Sequence, residues 1–324
     1  MKTLRLLLPL AALTLATPLA AHEFEHSAGF LQVPAAWESI GDGHGEIAVA
    51  SNGEIYVSVQ GGKMPGLQIY SAEGQYLRNL PGAPSDFHGF VIHQEVDGEF
   101  IYGVGLTSGT LSKLTLDGTE VFSTAVSAIP EKFIWKKKDG KLNPRFTSCD
   151  VAPDGTIYVV DGYGTDNIHI FEQDGTYRTT WVGRKKPYQF KNLHKIFIDL
   201  RYDTPRILGC DRANLRLVHL TLEGELIGDY ATDLRRPSAA AFHGGNVAIA
   251  EINGRISVLD KEGNIITTMG TNNDKYNGNR TPPTKWREGV TTSPHGIAYD
   301  ADGNILMTEY SKFGRILKYS PKAE

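Results

Sequence analysis

Asp154-Gly155-Thr156-Ile157-Tyr158-Val159-Val160-Asp161 decides the fold, because the same design returns near the C-terminus as Asp302-Gly303-Asn304-Ile305-Leu306-Met307-Thr308-Glu309. Each copy is a tight Asp-Gly turn followed by a short apolar, β-branched run, the composition of a buried strand bounded by turn residues. Gly53-Glu54-Ile55-Tyr56-Val57-Ser58 opens in the same way. A second apolar run and another turn follow each time: Ile168–Phe171 leads to Asp174-Gly175, Leu215–Val218 to Glu223-Gly224, and Ile256–Leu259 to Glu262-Gly263. Four short strands recurring every 40 to 50 residues or so are the mark of a propeller blade.

Six such units begin near residues 41, 87, 145, 191, 235 and 293, and the last stops at Ser320-Pro321 after three strands. A blade without its outer strand would expose an edge, so the segment Gly29 to Trp37 is expected to close the ring. The expected fold is an all-β, six-bladed β-propeller over residues 41–324, with residues 22–40 supplying the closing strand. Residues 1–21 read as an export signal: Lys2 and Arg5, the apolar run Leu6 to Leu19, then Ala20-Ala21. That run is too short for a membrane span, so the mature chain is expected to be a periplasmic or secreted, monomeric protein. With 33 basic and 37 acidic side chains and no large basic block, nucleic acid is a poor partner. Cys149 and Cys210, the only cysteines, are either a disulfide or two separately buried thiols.

Strand direction sorts the loops. The first strand of each unit runs away from one face and the second returns to it. Residues before strand one and after strand two therefore lie together near the axis. His88, His194 and His295 stand at the same place in alternating repeats, so six closed repeats set them roughly 120° apart around one axis. The repeat does not itself demand histidine, since Thr147 or Ser148 and Ser238 occupy the place elsewhere. Three neutral imidazoles with an open fourth position suit catalytic zinc. His44 lies close to the same place in the first repeat, as a candidate contact either to the ligating histidines or to substrate. Tyr163 and Arg212 follow the second strands of two neighbouring units. Near a cation the phenol is expected to ionise and serve as a base, and the guanidinium could hold a carboxylate or pair with Asp161, Asp211 or Glu251.

Asp161-Gly162-Tyr163, Asp211-Arg212 with Asn214 and Arg216, and Pro294-His295 together resemble the NHL-repeat propeller of peptidyl-α-hydroxyglycine α-amidating lyase. The resemblance implies zinc on His88, His194 and His295, with Tyr163 and Arg212 as catalytic residues. It also implies cleavage of the N–Cα bond of a small-molecule or peptide-end substrate, with an anionic group a candidate feature. The chain departs from the family in three places. Val57–Gln60 carries no arginine where the family has a second functional one. Gly296 stands where an aspartate helps to bind calcium, which speaks against that ion, and Gly164 replaces a disulfide cysteine. Two rival readings are a metal-dependent lactonase or sugar-acid hydrolase, which would favour carboxylate ligands and calcium, and a non-catalytic NHL propeller that binds a ligand or protein.

Overall fold

The computed structural model describes residues 23–274 and 278–322. The expected export signal lies outside the described residues. The chain forms six four-stranded antiparallel sheets, arranged as the blades of an all-β propeller. Their inner strands are Ile47–Val49, Phe87–Glu95, Ser148–Val151, Leu193–Asp199, Pro237–His243 and Pro294–Tyr299, here the first strands of blades 1 to 6. No helix among the described residues is long and apolar enough to cross a membrane.

The sequence alternates little along the inner and second strands because both faces of each are covered by neighbouring blades. Val57, Val104, Val159, Leu208, Ile249 and Met307, all on second strands, are fully buried. The core is correspondingly divided among the seams. Tyr56, Leu67 and Ile69 meet Phe87 and Phe90 between blades 1 and 2. Tyr102 and Val104 meet Val151 and Val159 between blades 2 and 3. Cys149 and Cys210 belong to different seams and are buried free thiols, so no disulfide joins them.

The ring closes through Phe24–His26, which pairs antiparallel with the outer edge of blade 6 in the register Phe24↔Pro321, Glu25↔Ser320, His26↔Tyr319. The closing strand thus lies ahead of Gly29–Trp37, where the sequence had placed it. The physical reason is visible in the side chains: Phe30, Leu31 and Val33 are apolar because they cover the seam between blades 1 and 6. That stretch makes only a single parallel bridge, Gln32↔Gln75. The true closing strand is three residues long with Phe24 its one apolar member, too short to show alternation.

A β-bulge opens the inner strands of four blades. The register slips between Phe87 and Gly89, Leu193 and Ile196, Pro237 and Ala239, and Pro294 and Gly296. A bulge leaves a residue out of the ladder and re-aims its side chain. In blades 2, 4 and 6 the residue so released is a histidine.

Candidate metal centre

His88, His194 and His295 are completely buried and converge. Their ring centroids lie 5.2 Å (His88–His194), 4.9 Å (His88–His295) and 4.8 Å (His194–His295) apart, with the planes nearly perpendicular. Each is fixed by the blade that follows. His88 Nδ1 donates to the Thr147 carbonyl at 2.7 Å, His194 Nδ1 to the Ser238 carbonyl at 2.7 Å, and His295 Nδ1 to the Gly45 carbonyl at 2.8 Å. Even blades supply imidazoles and odd blades the acceptors. Because a carbonyl can only accept, each Nδ1 carries the proton and each Nε2 presents a lone pair. This is the outer-shell arrangement that orients metal-ligating histidines.

Nε2 of His88 and of His295 is buried with no hydrogen-bond partner. Such orphaned acceptors call for an occupant. The nitrogen donors of His44, His88 and His295 lie within 4.8 Å of one another, a cluster able to take a divalent cation. His44 is thus drawn into the centre itself, beyond the peripheral contact its sequence position suggested. His194 Nε2 instead accepts from the Tyr163 hydroxyl at 3.0 Å, and His44 Nε2 lies 3.3 Å from the same oxygen. Since His194 takes the phenolic proton, His44 Nε2 must be the donor in that second contact, which makes its Nδ1 the lone-pair nitrogen.

Burial, the mutual repulsion of nearby imidazoles and the cations Arg212 and Lys195 push all four histidines down. His44 falls to about 3, and His88, His194 and His295 lie well below the ordinary range. Neutral imidazole is the ligating form, so the cluster is charged correctly for a cation. The protein's own groups act on Tyr163 in two directions. Burial raises its pKa, and Arg212 and Arg145 only partly oppose that rise. The protein alone keeps the phenol protonated.

Arg212 sits on a one-turn 3-10 segment, Arg212–Asn214, after the second strand of blade 4. Its guanidinium lies 5.3 Å from the Tyr163 ring centroid, and Nε donates to Asn192 Oδ1 at 2.7 Å. The alternative ion pairs are all taken by other groups. Asp211 holds Arg216 at 2.8 Å, Glu251 holds Arg255 at 2.7 Å, and Asp161 accepts from Thr165 and the Asn167 amide. Glu309 likewise holds Arg315 at 2.8 Å. These acidic residues staple the ends of their own blades, and their carboxylates are already engaged.

Below the histidines, Lys195 reaches from blade 4 across the axis to Glu46 of blade 1, with Nζ 2.5 Å from Oε2, and donates to the His295 carbonyl at 3.3 Å. Both side chains are buried. Glu46 Oε1 also accepts the Ile47 and Ile297 amides. A Cβ on Gly296 would stand 2.4 Å from that oxygen, so Glu46 fills the room an aspartate would need. With the carboxylate already paired to an ammonium, the residues do not fit calcium there. Sequence reasoning missed this pair, and it missed Arg145 and Arg236 beside Tyr163.

No family model matches the chain. A curated relative, NHL repeat-containing protein 3 from Mus musculus, is 27% identical over 231 residues, which is 66% of this chain and 63% of that protein. The chain therefore spans less than two thirds of the relative's length. Among solved structures, one described as streptogramin B lyase covers 93% of this chain and 98% of its own at 15% identity and a TM-score of 0.56. Virginiamycin B lyase from Staphylococcus aureus covers 93% and 100% at 14% identity and a TM-score of 0.54. A Bacteroides thetaiotaomicron protein of unknown function reaches a TM-score of 0.64 at 14% identity, covering 93% and 77%. At these identities the likeness is one of fold, and it does not single out the amidating lyase.

Proposed function

We propose that this protein is an exported zinc-dependent lyase that cleaves a carbinol-type C–N bond, as in a peptide or small molecule ending in α-hydroxyglycine, with Tyr163 as the base. The observation that carries the reading is the convergence of three carbonyl-anchored imidazoles with the Tyr163 hydroxyl, 3.0 Å from His194 Nε2. His88, His194 and His295 would hold the metal, because they share the same fixed tautomer; His194 Nε2 would give up the Tyr163 hydroxyl proton to do so, releasing the phenol toward the substrate. His44 supplies a fourth nitrogen, open to exchange for substrate. When bound, zinc supplies a Lewis acid for a substrate oxygen and positive charge that favours the tyrosinate.

The chain's own residues account for the proton and the charge. Tyr163 would accept the carbinol proton as the C–O bond becomes a carbonyl. The N–Cα bond breaks with its electron pair passing to nitrogen, and the same phenol returns the proton there. Arg212, with Nη1 buried and unpartnered, faces the site as a donor to developing negative charge. His44 steadies the phenolic oxygen from the other side.

Metal analysis of purified protein, together with glyoxylate release from an α-hydroxyglycine peptide, tests this. One equivalent of zinc and metal-dependent glyoxylate release are expected. Tyr163→Phe should keep the metal and lose roughly 100-fold or more in kcat. His194→Ala should lose the metal, whereas His44→Ala should retain it. Protein that stays metal-free in excess zinc would refute the centre, and metal without glyoxylate would refute the substrate.

A further inference from the structure

Three guanidiniums, those of Arg145, Arg212 and Arg236, lie around Tyr163 without a carboxylate partner among the described residues. Arg145 has its Cζ 5.8 Å from the Tyr163 ring centroid, opposite in sequence order to Arg212 at 5.3 Å. Arg236 joins Arg145 and Tyr163 in lining an open cavity of about 850 Å³ on the histidine face. Elsewhere Arg78, Arg178, Arg201, Arg216, Arg255 and Arg315 all hold carboxylates. Arg145, Arg212 and Arg236 are grouped instead beside Tyr163. In the same cavity Arg184 is held by Asp166 at 2.7 Å, the one carboxylate of the lining, and Lys191 adds a further positive charge.

Two further observations give this cluster a direction. Arg145 and Arg236 occupy one repeat position, two residues ahead of Thr147 and Ser238, whose carbonyls anchor His88 and His194. The matching residue ahead of Gly45 is Gly43, where a Cβ would meet the Glu309 carbonyl at 2.7 Å. The basic rim is therefore confined to the blade 3 to blade 5 side. Moreover, Asp166, Gln189, Asn192 and Arg236 line this cavity, and all four are non-glycine residues with φ between 53° and 61°. Backbone strain of this kind persists only where surrounding structure over-determines it. The most buried member, Arg212, is 6% exposed, and its Nη1 has no hydrogen-bond partner.

Resting on the metal-centre reading above, we propose that Arg145 and Arg236 are specificity-determining residues that, beside Arg212, hold a substrate carboxylate on the blade 3 to blade 5 side. Their planar forks match a carboxylate's two oxygens, and no protein anion competes for them. They supply from blades 3 and 5 the anchoring that blade 1, with Val57–Gln60, lacks.

The test titrates the zinc-loaded full chain with two probes of matched shape, mandelate and its neutral amide, by calorimetry. Mandelate should bind at least 10-fold more tightly. Arg145→Gln and Arg236→Gln should each weaken mandelate about 10-fold, leave the amide unchanged, and keep zinc stoichiometry and thermal midpoint at the parent values. Equal binding of the two probes by the parent protein overturns the proposal. So does a preference for mandelate that survives the double variant, since it then belongs to the metal or to Arg212. An equal loss for both probes means a structural role and also overturns it. The two readings separate cleanly: a carboxylate preference sensitive to both arginines, without glyoxylate release, sustains the anion site and rejects the proposed reaction.

Discussion

Lys195 and Glu46 show how much a single pair can matter at the centre of a ring. Burial pushes the Glu46 carboxyl up and the Lys195 ammonium down, each partly offset by the other. Removing one partner strands a buried charge, at a cost of about 3–5 kcal/mol. Lys195→Met is accordingly expected to lower the unfolding free energy by that amount in denaturant titrations. Adding Glu46→Gln should recover most of it, because an amide oxygen can still accept the Ile47 and Ile297 amides. A double variant no better than the single would mean that the pair contributes through packing alone. This pair was not legible in the sequence: Lys195 and Glu46 lie far apart in the chain and meet only across the axis. His88, His194 and His295 were legible because the repeat gives each a known height and angle. Which nitrogen carries the proton was not, since that depends on carbonyls contributed by other blades.

At the scale of the element, the bulge turns a repeat position into one whose side chain reaches the axis. The glycine that follows His88 is part of the device: a Cβ on Gly89 would stand 2.5 Å from the Thr147 carbonyl, the acceptor that orients the His88 ring. Gly89→Ala must push that carbonyl away. Losing such outer-shell support costs roughly 10–100-fold in metal affinity, which competition against a zinc chelator would measure. The fold should survive, and unchanged affinity would contradict the anchoring argument. The second strands end on a different device, an acidic residue clasping an arginine a few residues later, as in Glu251 with Arg255 and Glu309 with Arg315. Only the hydrogen bonds separate the staples, whose carboxylates are consumed, from the histidines, two of whose outward nitrogens are left open.

Across the whole molecule, closure brings three buried histidines and the half-buried His44 to one place, and that makes stability depend on pH. Their folded pKa values lie below the ordinary value near 6.5, so the unfolded chain takes up protons there while the folded chain does not. Stability is full above about pH 6.5 and falls as the pH drops below it. Asp150, raised to about 7 by burial, works in the opposite sense, since its contribution is lost as pH rises through 7. Burial raises Asp42, Glu46 and Asp166 in the same sense as Asp150, but it also holds down His26, His93 and His219, so seven imidazoles stand against four carboxyls. The metal-free protein should therefore lose several degrees of thermal midpoint between pH 7 and pH 5, and a midpoint that holds or rises over that interval would refute the count. Zinc at pH 7 should raise the midpoint by mass action on the folded state.

The sequence by itself determined the number of blades, the face on which each loop lies and the alternation of histidines, because these follow from strand period, turn chemistry and direction. It pointed to Gly29–Trp37 for closure because an apolar run looks the same whether it pairs in a sheet or covers a seam. The tertiary structure alone decided that Phe24–His26 closes the ring, that Glu46 and Lys195 fill the region beside Gly296, that His44 enters the cluster, and that Arg145 and Arg236 are left without carboxylates. Each of those outcomes rests on side chains from separate blades competing for the same few ångströms around one axis, and such competition has no counterpart in the order of residues along the chain.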